Sequence, residues 1–230
     1  MQIKKAVLII PYFGPFPAYF DLWRKSARMN PDFDFFIYTD NRLEEDEASN
    51  IKIIYTTFEA FRRRFQEKLG DHIHLKTPYK LCDYKPTYGY ILEEDIKQYP
   101  FWGYCDVDLI FGQLNHFITD ERLNRYDKFY FHGHFTLYRN NEKMNRLFME
   151  HYANVVDYKH AFSTDYSCHF DESGTVAFAD DYDDSVRVYK AWDFFDTMPG
   201  DYRIHRWGGK QRILCCLEAR PSRVCGKGHA

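Results

Sequence analysis

The stretch Phe101-Trp102-Gly103-Tyr104-Cys105-Asp106-Val107-Asp108-Leu109-Ile110-Phe111-Gly112 decides how the whole chain is read. Phe101–Cys105 is a short apolar and aromatic run of strand type, and it passes directly into two carboxylates separated by one valine. In an open α/β sheet, ligands gather beyond the carboxyl ends of strands, so acids at this place are candidates for chemistry. In extended backbone Asp106 and Asp108 point to one side and Val107 to the other. Two such carboxylates can share one hard divalent cation, Mn2+ or Mg2+, together with substrate phosphates.

Upstream, short apolar runs alternate with helical patterns. Ala6–Ile10, Phe33–Tyr38 and Ile51–Tyr55 read as strands. Residues 17–29 read as a helix, with Phe20, Trp23 and Ala27 at helical spacing and Asn30-Pro31 closing it. Thr56 with Glu59 forms a capping box before the stripe Phe58, Phe61, Phe65 and Leu69. Leu81 to Leu92 suggests a further helix, begun or kinked at Pro86. This alternation predicts an α/β fold, with a mostly parallel Rossmann-like sheet and flanking helices. Beyond Gly112 the pattern changes to a helix at Asp120–Arg125, strands at Lys128–His132 and Phe135–Arg139, a helix over 141–152 and a strand at 186–189. That is a smaller α+β C-terminal portion built onto the sheet.

Composition bounds the function. The chain has 230 residues, 45% hydrophobic and 28% charged, enough apolar material for a sizeable core. Its 21 Phe, 19 Tyr and 4 Trp make 19% aromatic, an excess that serves packing and also suits stacking on bases or sugars. A net charge of −3 argues against nucleic acid as a partner. The charge is uneven: residues 210–230 carry Lys210, Arg212, Arg220, Arg223 and Lys227 against Glu218. Mean hydropathy is −0.59, and no apolar run approaches the roughly 18–20 residues of a membrane-spanning helix, which leaves peripheral membrane association as the form a membrane contact would take. The first residues are expected to form a buried strand rather than a signal peptide. The six cysteines follow no disulfide framework, so reduced thiols and a cytoplasmic setting, at most peripheral to the inner face of the membrane, are expected. Cys225 and His229, with Cys215 or Cys216, lack a fourth zinc ligand. Neither G-x-x-x-x-G-K-[ST] nor G-x-G-x-x-G occurs, so phosphates have no glycine-rich cradle of those kinds.

Four segments taken together resemble a family of bacterial glycosyltransferase-like proteins of the GT-A superfamily. They are Ile10-Pro11-Tyr12-Phe13-Gly14, Pro78 to Pro86 (PYKLCDYKP), Asp106 to Gly112 (DVDLIFG) and Gly133 to Asn140 (GHFTLYRN). The resemblance covers about residues 3–175. It implies a GT-A-like nucleotide-binding sandwich and a metal-dependent transfer of sugar from a nucleotide-diphosphate donor to a glycan or lipid-linked acceptor, in surface polysaccharide synthesis. It also implies one domain over 1–209, with a nucleotide-binding half at 1–112 and an acceptor half at 113–209. An atypical basic, cysteine-containing tail follows at 210–230.

The resemblance assigns roles by position. Asp106 and Asp108 match the metal and diphosphate motif, with His205 as a third metal ligand from the C-terminal region. Asp40, ending the second strand, matches an acid that contacts the nucleoside, and Pro11, Tyr12 and Phe13 form the loop beneath the base. Lys80, Asp83 and Lys85 precede a helix, where a lysine reaches the diphosphate as a point charge. His132 and His134 flank Gly133 and are read as donor-sugar or acceptor contacts. Asp171 and Glu172 match the acidic pair near the acceptor, one of them the general base. Two other readings exist. Haloacid-dehalogenase phosphatases also place D-x-D after a strand, but their motif wants Thr or Val where this chain has Ile110. A non-catalytic nucleotide-sugar or glycan-binding protein of the same fold is the other.

Overall fold

The computed structural model describes residues 4–43, 50–191, 195–197 and 204–206; the side chains of His132 and of the last two segments lie outside that description. The chain divides into two units, Met1–Lys190 and Ala191–Ala230. The first begins with β1 (Ala6–Pro11), α1 (Phe20–Arg28), β2 (Phe33–Thr39), β3 (Ile51–Tyr55) and α2 (Phe58–Leu69). Three short helices follow: α3 (Leu81–Tyr84), α4 (Tyr88–Ile91) and α5 (Glu93–Ile96). A 3-10 turn at Lys85–Thr87 separates α3 from α4, because Pro86 denies an amide to a continuous helix. Then come β4 (Phe101–Cys105), α6 (Leu114–Phe117), α7 (Asp120–Arg125), β5 (Lys128–His132) and β6 (Phe135–Arg139). The unit closes with α8 (Glu142–Asn145), α9 (Tyr158–Phe162), α10 (Phe170–Ser173), α11 (Ala179–Tyr182) and β7 (Val188–Tyr189).

Seven strands form one sheet in the order β3-β2-β1-β4-β6-β5-β7. β1 pairs in parallel with β2 and β4, and β2 with β3. β6 is antiparallel to both β4 and β5, while β5 and β7 are parallel. This is the expected α/β architecture, with a mostly parallel sheet and flanking helices. The second half adds antiparallel strands to the same sheet instead of building a separate layer. In the second unit β8 (Phe195–Thr197) and β9 (Ile204–Arg206) form an antiparallel hairpin.

Alternation along each strand feeds two cores. Val7 and Ile9 join Phe36, Tyr38, Phe61, Phe65, Trp102 and Tyr104 on one face. Ala6, Leu8 and Ile10 join Trp23, Phe35, Ile37, Phe101 and Leu137 on the other. The largest fully buried side chains are all aromatic, so packing takes up much of the aromatic excess. Two local expectations move. The cap of α2 is Thr57, whose Oγ1 accepts the Ala60 amide at 3.1 Å, one residue beyond the expected Thr56. The helix over 141–152 is only one turn after its Asn141 cap, followed by a 3-10 turn at Leu147–Met149.

Candidate functional site

β1 lies between β2 and β4, and the chain leaves β1 toward one side of the sheet and reaches β4 on the other. This is the topological switch point, where an open α/β sheet forms its crevice. A cleft of about 440 Å³ lies here. Its lining includes Pro11 and Tyr12 from the end of β1, and Asp106 and Asp108 from the end of β4. Lys85, Asp171 and Glu172 line it as well. The volume is in the range of small-ligand sites.

Asp106-Val107-Asp108 is a turn, not the continuation of extended strand, since β4 ends at Cys105. Both acids still line the cleft, brought there by the turn and not by strand alternation. The turn is pinned from several sides. The Asp106 amide donates to the His134 carbonyl at 2.9 Å, and the Trp23 indole Nε1 donates to the Asp106 carbonyl at 3.0 Å. Asn30 holds the chain that follows, donating to Gly112 O at 2.9 Å and accepting from Leu114 N at 2.8 Å. Asp108 is exposed.

Lys85 is the hub of the site. Its Nζ lies 2.7 Å from Asp106 Oδ1, 2.7 Å from the Gly133 carbonyl and 3.2 Å from Asp171 Oδ2. The ammonium also sits 5.5 Å from the centre of the Tyr104 ring. Burial by itself would lower the lysine pKa, but Asp106 and Asp171 outweigh it and hold the group firmly protonated. Asp171 is buried, and burial pushes its carboxyl up to about 6 against the downward pull of Lys85. Glu172 Oε1 accepts the Gly133 amide at 3.2 Å. A side chain at Gly133 would place its Cβ 2.5 Å from Asp171 Oδ2 and 2.7 Å from Glu172 Oε1, so the β5–β6 turn approaches the acids closely only as glycine. Next to it β5 carries a register shift, with Tyr130 at φ 65°.

Several expected site residues lie elsewhere. Lys80 does not reach a phosphate: it is 2% exposed, with Nζ 2.6 Å from Asp83 Oδ2 and 2.9 Å from the Ala161 carbonyl. Asp83 is likewise fully buried and accepts the amides of Cys168 and Phe170 at 2.9 Å each. The pair is a buried staple between α3 and the segment that carries Asp171, and its work is structural. Phe13 packs on Phe58 and Phe61, ring centres 5.5 and 5.7 Å apart, and is not part of the cleft lining. Asp40 is exposed outside the lining, where its Oδ1 accepts the Gly14 amide at 3.3 Å and anchors the loop after β1, with Gly14 at φ 97°. His134 meets the site through its backbone carbonyl and does not line the cleft. The His132 side chain and the His205 side chain lie outside the described residues, as do Cys215, Cys216, Cys225 and His229.

The lining also holds residues that sequence spacing did not single out: Tyr19, Tyr79, Cys82, Ser167 and His169. Tyr79 and Cys82 stand within the quoted segment 78–86, and His169 just before the acid pair, but no periodicity marks them. Tyr19 and Tyr79 are large exposed rings, 52% and 75%, on the cleft rim. Tyr12 stacks on Phe16 at 4.5 Å, the first step of a column that continues through Phe20 to Trp23 in the core.

Asp106 and Asp108 offer hard carboxylate oxygens from one turn into one cleft. That donor set fits a Mg2+ or Mn2+ ion completed by substrate phosphates, the usual way such ions are bound. Among the described residues no group of three or more His, Cys, Asp or Glu forms a self-sufficient metal cage. No helix among the described residues is long and apolar enough to cross a membrane. A family model described as a family of unknown function, DUF6625, matches residues 8–213. No curated protein and no solved structure matches the chain.

Proposed function

The chain belongs to the DUF6625 family, whose function is unknown, and we propose that its cleft is the donor site of a glycosyltransferase with a GT-A-like fold, moving a sugar from a nucleotide-diphosphate donor to a glycan or lipid-linked acceptor. One observation carries this reading. At the carboxyl ends of β1 and β4, Lys85 bridges Asp106 of the D-x-D turn and the buried Asp171.

Charge decides what the cleft accepts. Asp106, Asp108, Asp171 and Glu172 face it, with Lys85 as the one Lys or Arg lining it among the described residues. A diphosphate does not enter such an acidic crevice without further positive charge. Asp106 and Asp108 would hold a Mn2+ or Mg2+ ion, which when bound takes up charge on the diphosphate leaving group. Lys85 supplies a fixed positive charge beside the phosphates and keeps Asp106 oriented. The exposed rings of Tyr19 and Tyr79 offer stacking faces for a base or sugar.

Beside Lys85, Asp171 is the residue suited to take the proton of an attacking hydroxyl. Its carboxyl, pushed up to about 6, is ionised at neutral pH yet more basic than a solvated aspartate. Glu172 and the Gly133 turn fix its position, and Lys85 offsets its charge in the buried wall.

The test is thermal denaturation with Mn2+ and a panel of UDP-, GDP-, CDP- and dTDP-sugars. At least one donor raises the melting temperature, and Asp108→Ala, a change at an exposed turn, removes the shift without unfolding the protein. No shift across the panel overturns the reading. Donor binding without nucleotide release, whatever acceptor is offered, replaces it with a non-catalytic sugar-nucleotide binder.

A further inference from the structure

His169 stands at φ 50°, ψ 42°, the left-handed region that few residues other than glycine occupy, asparagine, aspartate and histidine the most often among them. The neighbouring amides hold it there. Asp83 Oδ1 accepts from Cys168 N at 3.1 Å and from Phe170 N at 2.9 Å, on either side of the strained residue. Ser167 Oγ accepts the His169 amide at 3.3 Å, and the His169 carbonyl accepts from Ser173 N at 2.8 Å. A buried carboxylate is thus committed to one unfavourable backbone conformation. The side chain presented by that conformation is exposed, lines the cleft two residues before Asp171, and has no hydrogen-bond partner among the described residues.

Glycine or asparagine would take this conformation at lower cost. Strain that the surroundings over-determine is characteristic of functional positions. We propose that His169 is a substrate-contacting residue whose imidazole hydrogen-bonds a hydroxyl of the sugar carried by the nucleotide donor; this rests on the donor-site reading above. A neutral imidazole has one donor and one acceptor, which matches a sugar hydroxyl. The phosphates belong beside Lys85 and the cation that Asp106 and Asp108 would hold, the positive charges of the cleft, which leaves His169 to the sugar.

The experiment is calorimetric titration, in the presence of Mn2+, of wild type, His169→Asn and His169→Gly with UDP and GDP and with the matching UDP-glucose, UDP-galactose and GDP-mannose. Both variants are expected to melt at or above the wild-type temperature, since the strained backbone is relieved. Their affinity for the nucleoside diphosphate stays unchanged while that for the nucleotide-sugar falls about tenfold, the size of one lost hydrogen bond. Equal changes for both ligands, or no change for either, overturn the assignment while leaving the donor site standing. A wild type that binds none of these nucleotides overturns the donor reading and this inference with it. A fall of several degrees in the melting temperature of both variants also counts against it, because the histidine would then serve the fold.

Discussion

Lys85 Nζ stands 3.2 Å from Asp171 Oδ2 and 2.7 Å from Asp106 Oδ1, so one ammonium joins the turn after β4 to the buried acid of α10. Burial raises the Asp171 pKa, and Lys85 is the chief group that restrains it. Lys85→Met therefore moves the Asp171 carboxyl from about 6 to a higher value, which carbon-detected NMR titration reads directly. The sign for stability follows. The unfolded carboxyl titrates near 3.9, so between about pH 4 and pH 6 the folded state holds more protons and stability falls as pH rises. In Lys85→Met that fall extends to higher pH. An Asp171 resonance that titrates unchanged in the variant shows that the ammonium does not act on it.

The Lys80–Asp83 pair gives a second prediction. Asp83→Ala leaves the Lys80 ammonium buried without its carboxylate and frees the amides of Cys168 and Phe170. It is expected to cost about 3–5 kcal/mol in urea denaturation, the range for breaking a buried pair from one side. The double change Lys80→Met with Asp83→Leu removes both charges and recovers part of the loss. If the single and double variants are equally destabilised, the loss comes from the amide contacts and not from the orphaned charge.

Lys128 is buried with its Nζ against the Val176 carbonyl, and burial depresses its pKa to about 7. The unfolded chain, with lysine near 10.4, holds more protons between about pH 7 and pH 10.4, so this residue makes stability rise with pH across that window. Lys128→Met is expected to raise the melting temperature at pH 6, by an effect on the order of a few kcal/mol less the cost of the unpartnered carbonyl. The gain shrinks as pH approaches 10. A variant that is less stable than wild type at pH 6 contradicts the prediction.

Much of the fold was legible because strands and helices of this chain carry clean periodicities. β3, β4, α7, β5 and β6 lie where the apolar runs put them, and Pro86 interrupts its helix as a missing amide requires. The single turn of α8 was not legible, since apolar residues from Met144 to Met149 satisfy a helical pattern whether or not the backbone continues. The D-x-D acids are legible from their place after a strand, because place and not alternation brings both to the cleft.

Local sequence thus determined the α/β class, the strand that ends in Asp106 and the presence of acids at its end, since these depend on patterns within a few residues. Tertiary structure alone decided which charged residues face the cleft. Lys80, Asp83 and Lys85 stand within six residues of one another and look alike in sequence. Yet Lys80 and Asp83 are sealed against α9 and the segment before α10, while Lys85 reaches Asp106 and Asp171. The difference lies in partners 21 to 87 residues away, and burial, which sets whether a charge faces the cleft or is sealed into the fold, is fixed only when those partners meet.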